Sequence, residues 1–565
     1  MSALRAPGLG PIIGHTTDRS CRLWIQADDP EDNAGSLNAN RRTVGVIGLL
    51  RADGKSVVAG WYFRLHREFD RTGTFVLGED VALGRHPRDK VVDQETATPL
   101  LPDTQYTVRI GTLSLDDPWG DAENIGDGEL ARRLPNIEIM APLLMELRQE
   151  DCEVTFRTFP AAPRDRLAFM VGSCRYPGLL WKIKEADQIF GPLRTHFEPS
   201  TQDEAARFTL MIGDQIYADK FTPMMPIGRA DTYREFQERY QTAFGSPNMR
   251  ALLRTAPSYM ILDDHEIEDN WSQDRLHKQG KHELFNHAIG AYMSYQWSHD
   301  PRTHGRLLYY NFDCGGYPFF VLDTRTQRIK DKEKNLADNH LLGRPTIDPI
   351  HKGQLDRLLD WLTDQQQTGG NVPKFIASAS VFAPNAMDER LTPAPADTDP
   401  LLQANLDRRD LSDSWAAFPK TRQAIVEHIV TGGIQNVVFL TGDIHCSNIA
   451  RLAFQTDAGA DSGLIAYDIT SSAFYWPFPF ADGDPNNYVH DSKDSEQYDV
   501  FPYRGGVMHY TAWAFTQEDN FCRIDIDRTT GELVVRYYDR GGDPLAVSDA
   551  LGQATGANHL ALAPW

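Results

Sequence analysis

At 565 residues the chain exceeds one ordinary domain, so two or more folding units are expected. With 41% hydrophobic and 24% charged residues it has a globular balance, which excludes a disordered or fibrous protein. A net charge of -22, from 79 acidic against 57 basic side chains, repels nucleic acid and anionic membranes. A small anionic substrate stays open, because bound cations can reverse the field locally.

The first 160 or so residues lack helical periodicity. Short strand-like runs at Cys21–Ala27, Thr43–Leu49, Ser56–Tyr62, Tyr106–Gly111 and Cys152–Phe159 are separated by turn-rich stretches such as Asp28–Gly35. That pattern predicts a small fibronectin- or immunoglobulin-like β-sandwich over 1–160, closed by a linker at Pro160–Arg166. From Leu167 apolar runs alternate with helical patterns, which predicts an α/β layered core over 161–540. The runs are Leu167–Gly172, Phe208–Ile212, Tyr259–Leu262, Phe319–Leu322, Phe375–Ala379 and Val437–Leu440. Helices are expected at Tyr233–Leu253, Leu284–Trp297, Gln354–Thr363 and Thr421–Val430. A hairpin of Cys522–Ile526 with Glu532–Tyr538 follows, and 541–565 read as a loosely ordered tail. The six cysteines are widely spaced with no C-x-x-C pair, which speaks against a zinc ribbon, a redox motif or a disulfide scaffold. No apolar stretch approaches the length of a membrane helix and no signal peptide is visible, so a cytoplasmic location is expected.

Five apolar strands are each followed at once by polar, metal-capable residues: Ser173-Cys174-Arg175, Asp214 with Tyr217 and Asp219, Asp263-Asp264-His265-Glu266 with Asn270, Asp323 with Arg325 and Arg328, and Asp443 with His445. Ligands of α/β sheets gather at the carboxyl ends of strands, so these side chains are expected on one rim. Cys174 offers a thiolate, His445 an imidazole, Asp214, Asp263, Asp264 and Asp443 carboxylates, and Asn270 a carbonyl oxygen. Mixed sulfur, nitrogen and oxygen donors favour a transition metal such as iron; oxygen donors alone favour calcium, magnesium or manganese. The set is too large for one ion, and a multi-metal centre suits hydrolysis of phosphate esters by a metal-activated hydroxide.

These motifs resemble the PhoD-like alkaline phosphatase and phosphodiesterase family, within the calcineurin-like metallophosphoesterases. The resemblance extends to the opening GPIIGHTTDRSCRLWIQ, to Asp413-Ser-Trp415 and to Asn520–Ile526. It implies a four-layer αββα catalytic fold behind the sandwich, and Fe3+ with Ca2+, other divalent ions such as Mn2+, Mg2+ or Zn2+ being possible occupants. By motif match Cys174, Asp214 and Tyr217 hold the iron, Asp263 and Asn270 serve the neighbouring ions, and Asp443 and His445 complete the cluster. Where broader metallophosphoesterases open with D-x-H, this chain has Gly172-Ser173-Cys174. The family's secreted members carry a twin-Arg signal that this chain does not show.

Of Asp263 and Asp264 at least one is expected to ligate, with Asp219 supporting the ligands. His265 either caps a helix or orients phosphate and protonates the leaving group. Arg175 is a candidate to grip phosphate bidentately. Arg325 and Arg328 are salt-bridge partners or phosphate binders, Arg325 being the candidate for substrate. Two inserts, Asn385–Trp415 and Phe474–Tyr503, are long enough to fold over the rim, and Trp476 in the second is a candidate substrate wall. The expected substrate is a small organic phosphate ester, monoester or diester, with no nucleic-acid or membrane partner. Two alternatives compete: iron-dependent peroxidase or haloperoxidase chemistry on the same scaffold, and a catalytically inactive binding protein acting through its β-sandwich.

Overall fold

The computed structural model describes residues 4–28, 43–78, 100–115, 127–178, 183–199, 204–219, 228–303, 307–330, 339–346, 352–384, 414–478, 486, 488–494 and 501–565. The insert at 385–413 and Phe480 lie outside them.

Two large sheets form the core. One has six strands in the order Ser258–Ile261, Thr209–Ile212, Arg166–Gly172, Asn520–Asp527, Glu532–Asp539 and Asn558–Ala561; the first three are parallel to one another. The other has eight, from Tyr310–Cys314 through Tyr317–Val321, Lys374–Ser378, Val437–Thr441 and Ala466–Thr470 to Ser447–Thr456, Gly506–Thr516 and Phe501–Tyr503. Here Tyr317–Val321, Lys374–Ser378, Val437–Thr441 and Ala466–Thr470 are mutually parallel.

Strand alternation explains the packing. Phe169, Val171, Leu210 and Ile212 from the first sheet share one buried cluster with Phe319, Phe375, Val438 and Ile524. Their neighbours turn the other way: Met170, Met211 and Met260 meet Phe190, Phe236, Tyr240 and Tyr292 of helices on one side. On the other, Phe320, Ile376 and Phe439 meet Leu358, Leu362, Ile425 and Ile429. The protein is thus a mixed α/β fold whose two large sheets share a buried cluster and carry helices packed against them.

In the N-terminal region, a three-stranded sheet (Leu9–Thr16, Ser20–Gln26, Thr72–Gly78) and a five-stranded one containing Thr43–Leu50, Val57–Arg64 and Gln105–Ser114 share a cluster of Ile13, Leu23, Ile25, Ile47, Phe75, Val108 and Ile110. This region is bolted to the helix Lys281–Tyr295. Trp24 Nε1 donates to Ser294 O at 2.8 Å, Arg22 Nη2 to Ser298 O at 2.7 Å, and Asp70 accepts from Gln26, Gln241 and Tyr295.

Two expectations are corrected. The helix read over Tyr233–Leu253 is two, Tyr233–Gly245 and Pro247–Leu253, because Pro247 forces Ser246 into extended backbone (φ -64°, ψ 142°) and then starts the next helix at its first turn. The loosely ordered tail is instead built in: Asn558–Ala561 extends the six-stranded sheet beside Glu532–Asp539, and Asn436 exchanges two hydrogen bonds with the backbone of Ala563. All six cysteines are buried, and none is joined in a disulfide. Among the described residues no helix is long and apolar enough to cross a membrane.

Candidate metal centre

The metal-capable side chains stand beyond the ends of strands of the two sheets, Cys174, Asp214, Asp263 and Asp443 each two residues past the last strand residue. Gly213 makes the first turn possible: at φ +80°, a Cβ there would lie 2.4 Å from Asp263 Cβ. Gly442 is as tightly placed, with Ser173 Oγ at 2.5 Å from its missing Cβ. The loops are then cross-tied, Cys174 N donating to Gly213 O at 3.2 Å and Arg175 N to Asp214 O at 2.9 Å. Ten described non-glycine residues have positive φ, and five of them are Cys174, Asp214, Asn270, Asp443 and His445, at 53° to 74°. Left-handed backbone disfavours L side chains and persists only where the surroundings impose it, so its concentration on these residues marks a functional rim.

Three groups of donors lie with their atoms within 4.8 Å of one another: Cys174, Asp214 and His445; Asp214, Asp264 and His265; and Asp214, Asp263, Asp264 and Asp443. Asp214 belongs to all three. Tyr217 joins the first, its hydroxyl donating to Asp214 Oδ2 at 3.1 Å and lying 3.4 Å from His445 Nε2. Asn270 donates its backbone N–H to Asp264 Oδ2 and its side-chain amide to Asp269 Oδ1 at 3.3 Å.

The electrostatics are those of a cation site. Burial, then the carboxylates of Asp264, Asp263 and Glu266, push the Asp214 carboxyl far up against the pull of His265. Burial, followed by Asp214 and Asp443, does the same to the Cys174 thiol. Burial holds the His445 imidazole neutral, at about 3, which is the form that can ligate. Asp264 Oδ1 is buried with no hydrogen-bond partner, Arg325 Nη2 standing 3.6 Å away. Crowded, desolvated anions of mixed type are unfavourable alone and favourable around metal ions, so the donor set fits more than one bound cation.

A hidden organiser ties the loops. Glu266, buried and flanked by Asp263–His265, accepts from the backbone N–H groups of Asp214 (3.1 Å), Gln215 (2.7 Å) and Asp263 (2.9 Å). It stood in the sequence motif without a role; its signal is only its place in that motif. His265 donates or accepts at Asp219 Oδ1 across 2.7 Å, and its ring stacks on Tyr217 at 4.2 Å. Burial alone would lower His265, but Asp219, Asp264 and Asp214 outweigh it and hold the ring well above its ordinary value.

Among the arginines, Arg175 departs from expectation, while Arg325 takes the ion-pair reading over the substrate one. Arg175 leaves the cluster altogether: its guanidinium donates to Ser246 Oγ at 2.7 Å, sits 3.9 Å from Asp187 and packs over Phe190. Arg325 points into the cluster rather than out to a substrate, bonded to Asp263. Arg328 is structural, held by Thr324 O at 2.8 Å and over the Phe418 ring. The aromatics divide as well. Phe474 fills the core against Gly172 and Tyr488 packs on Cys446. Trp476 stacks on His445 at 3.5 Å and 11°, with Tyr176 and Phe478 meeting it edge-on.

A model of the PhoD-like phosphatase family matches residues 193–507, more than half of the chain. The chain belongs to that family. The match takes in the loops of Asp214, Asp263, Asp264, Asp443 and His445 and leaves Cys174 just before its start. Alkaline phosphatase D of Bacillus subtilis (strain 168) is 26% identical over 230 residues, which are 39% of this chain and 36% of that protein. The chain thus aligns with little more than a third of that curated relative. A solved structure titled "Structure of PhoD" superposes with a TM-score of 0.58 at 16% identity, covering 96% of this chain and 89% of the other. That likeness establishes a shared fold across nearly the whole PhoD-like chain.

Proposed function

We propose that this PhoD-like chain hydrolyses organic phosphate esters at a multinuclear metal centre. The observation that carries the reading is the position of Asp214, common to three donor groups of different chemistry. Cys174, Asp214, Tyr217 and His445 would hold a transition metal, for which Fe3+ suits the thiolate and phenolate. Asp263, Asp264, Asn270 and Asp443 would serve oxygen-preferring Ca2+, or Mn2+, Mg2+ or Zn2+ in its place. Bound there, such ions would supply positive charge for a phosphoryl group and lower the pKa of bound water. Asp219 fixes the His265 ring and favours its protonated form, which suits it to give a proton to the leaving oxygen. Trp476, Tyr176 and Phe478 form a wall for the organic part of the ester.

In this reading residues 161–540 are a four-layer αββα catalytic unit and 1–160 a β-sandwich that braces it, with 541–565 completing the core. The partners are small esters rather than nucleic acid or membrane, in keeping with a net charge of -22. Six cysteines outside any disulfide suit a reducing cytoplasm.

A panel of aryl phosphate monoesters, bulky diesters and phospholipids, assayed before and after chelation with elemental analysis alongside, tests the proposal. Turnover should track metal content. Trp476→Ala should lower kcat/KM about tenfold on a bulky ester and little on a minimal aryl phosphate. Full activity in metal-free protein would refute the centre, and equal losses on both esters would refute the wall.

A further inference from the structure

We propose that Arg325 is a resident cation of the carboxylate cluster, standing where a further metal ion would otherwise bind and so limiting how many ions the centre takes. This rests on the metal-centre reading above. The residue is fixed at its root: its backbone N–H donates to Asp323 Oδ1 at 3.1 Å, and Thr326 N binds the same oxygen at 2.8 Å. From there the side chain, fully buried, runs into the cluster. Nε donates to Asp263 Oδ1, and Nη2 lies 3.6 Å from both Asp264 Oδ1 and Asp443 Oδ2. One guanidinium therefore faces three of the four carboxylates in the all-oxygen donor group, the fourth being Asp214.

Four carboxylates within reach of one another, away from water, repel one another unless positive charge is interposed. Arginine is suited to supply it permanently, since it stays protonated and its planar fork can serve several carboxylates. Arg328 shows that burial alone does not create this arrangement: three residues on and as deeply buried, it binds Thr324 O and Ser380 instead. A further divalent ion entering between Asp263, Asp264 and Asp443, beyond those the proposed centre holds, would compete with the guanidinium for the same oxygens.

The inference makes an unusual demand: removing a side chain should increase metal binding. Calcium content per chain and calorimetric Ca2+ titration are measured for the wild type, Arg325→Met, Arg325→Gln and Arg325→Lys, with thermal melts of each. The Met and Gln variants should take up one more Ca2+ per chain, or bind Ca2+ about tenfold tighter or more. The Lys variant, which keeps the charge, should match the wild type. Should Arg325→Met fail to fold, Arg325→Gln carries the test, because it keeps a donor for Asp263. Folded Met or Gln variants with unchanged or reduced calcium would overturn the proposal, and so would a gain in the Lys variant. A wild type that binds no cation at all would instead bring down the metal-centre reading, and this inference with it.

Discussion

The N-terminal sheets bury Ile13, Leu23, Ile25, Ile47 and Phe75 against one another, while at similar depth the candidate metal rim buries Asp214, Asp263, Asp264 and Cys174. In the first region burial is itself the driving force, and the strands turn their apolar faces inward. In the second, burial is unfavourable for every group concerned. The rim persists because Glu266 ties three backbone amides, glycines let loops approach, and the surrounding sheets impose left-handed backbone on five ligand candidates. A region held by its own contacts should lose stability when mutated. A region held by its neighbours should lose function and keep its fold.

The largest effect should follow from Asp214→Asn. It removes the carboxylate shared by all three donor groups, and turnover on any phosphate ester should fall about a thousandfold or more. The same variant relieves repulsion from Asp263, Asp264 and Glu266, so metal-free protein should melt no lower than metal-free wild type. Loss of folded protein on this single change would erase the contrast between the two regions.

How much of this was legible follows from the same contrast. The residues just beyond Leu167–Gly172, Phe208–Ile212, Tyr259–Leu262 and Val437–Leu440 could be read because a parallel strand is an apolar run that stops abruptly, and the next side chain must reach the rim. Arg175 and Arg325 could not be placed, because a long arm's direction depends on Ser246, Asp187 and Asp263, which are distant in sequence. The antiparallel strands Ser447–Thr456 and Gly506–Thr516 escape the pattern too: partly exposed positions interrupt their apolar runs, and they pair with each other across a long separation, from Thr456 with Gly506 to Ser447 with Thr516. The tail was misread for want of periodicity in a four-residue edge strand whose support comes from Glu532–Asp539.

Asp70→Ala tests the other side of the comparison. Asp70 Oδ2 gathers Gln26 Nε2 and Gln241 Nε2, each at 2.7 Å, and the Tyr295 hydroxyl, so it joins the N-terminal region to two helices of the core. Its removal leaves three donors without their acceptor, those of Gln26 and Tyr295 buried, and should cost about 3 kcal/mol in denaturant unfolding. The kcat/KM of the folded fraction should stay within about twofold of wild type, as expected of a residue whose partners all lie outside the rim. A large catalytic loss at full stability would mean that the N-terminal region shapes the site directly.

The smallest effect concerns how far the unfavourable burial of anions extends behind the rim. Asp468 lies within the strand Ala466–Thr470, beside the strand that ends before Asp443, and accepts from Phe382 N at 3.1 Å, Ala383 N at 2.7 Å and Thr441 Oγ1 at 2.8 Å. Burial pushes its carboxyl up from 3.8 to about 7, against the opposing hydrogen bonds from Ala383, Thr441 and Phe382. A folded value above the unfolded one means that stability is fully present below the unfolded value and is lost as pH rises through the folded one. Between about pH 4 and about pH 7 the wild type should therefore lose stability that an uncharged side chain would keep. Asp468→Asn can retain the acceptor for both backbone amides, and Thr441 can turn its hydroxyl proton to Thr470 Oγ1 at 2.8 Å while accepting from the new amide. The unfolding free energy of Asp468→Asn relative to wild type, read from denaturant melts, should then climb from about pH 4 to about pH 7 and level off above, by an amount on the order of 1 kcal/mol or more. A difference that stays flat with pH would show that three hydrogen bonds are enough to keep this carboxylate ionised in the core, and would confine the strained anionic chemistry to the rim itself.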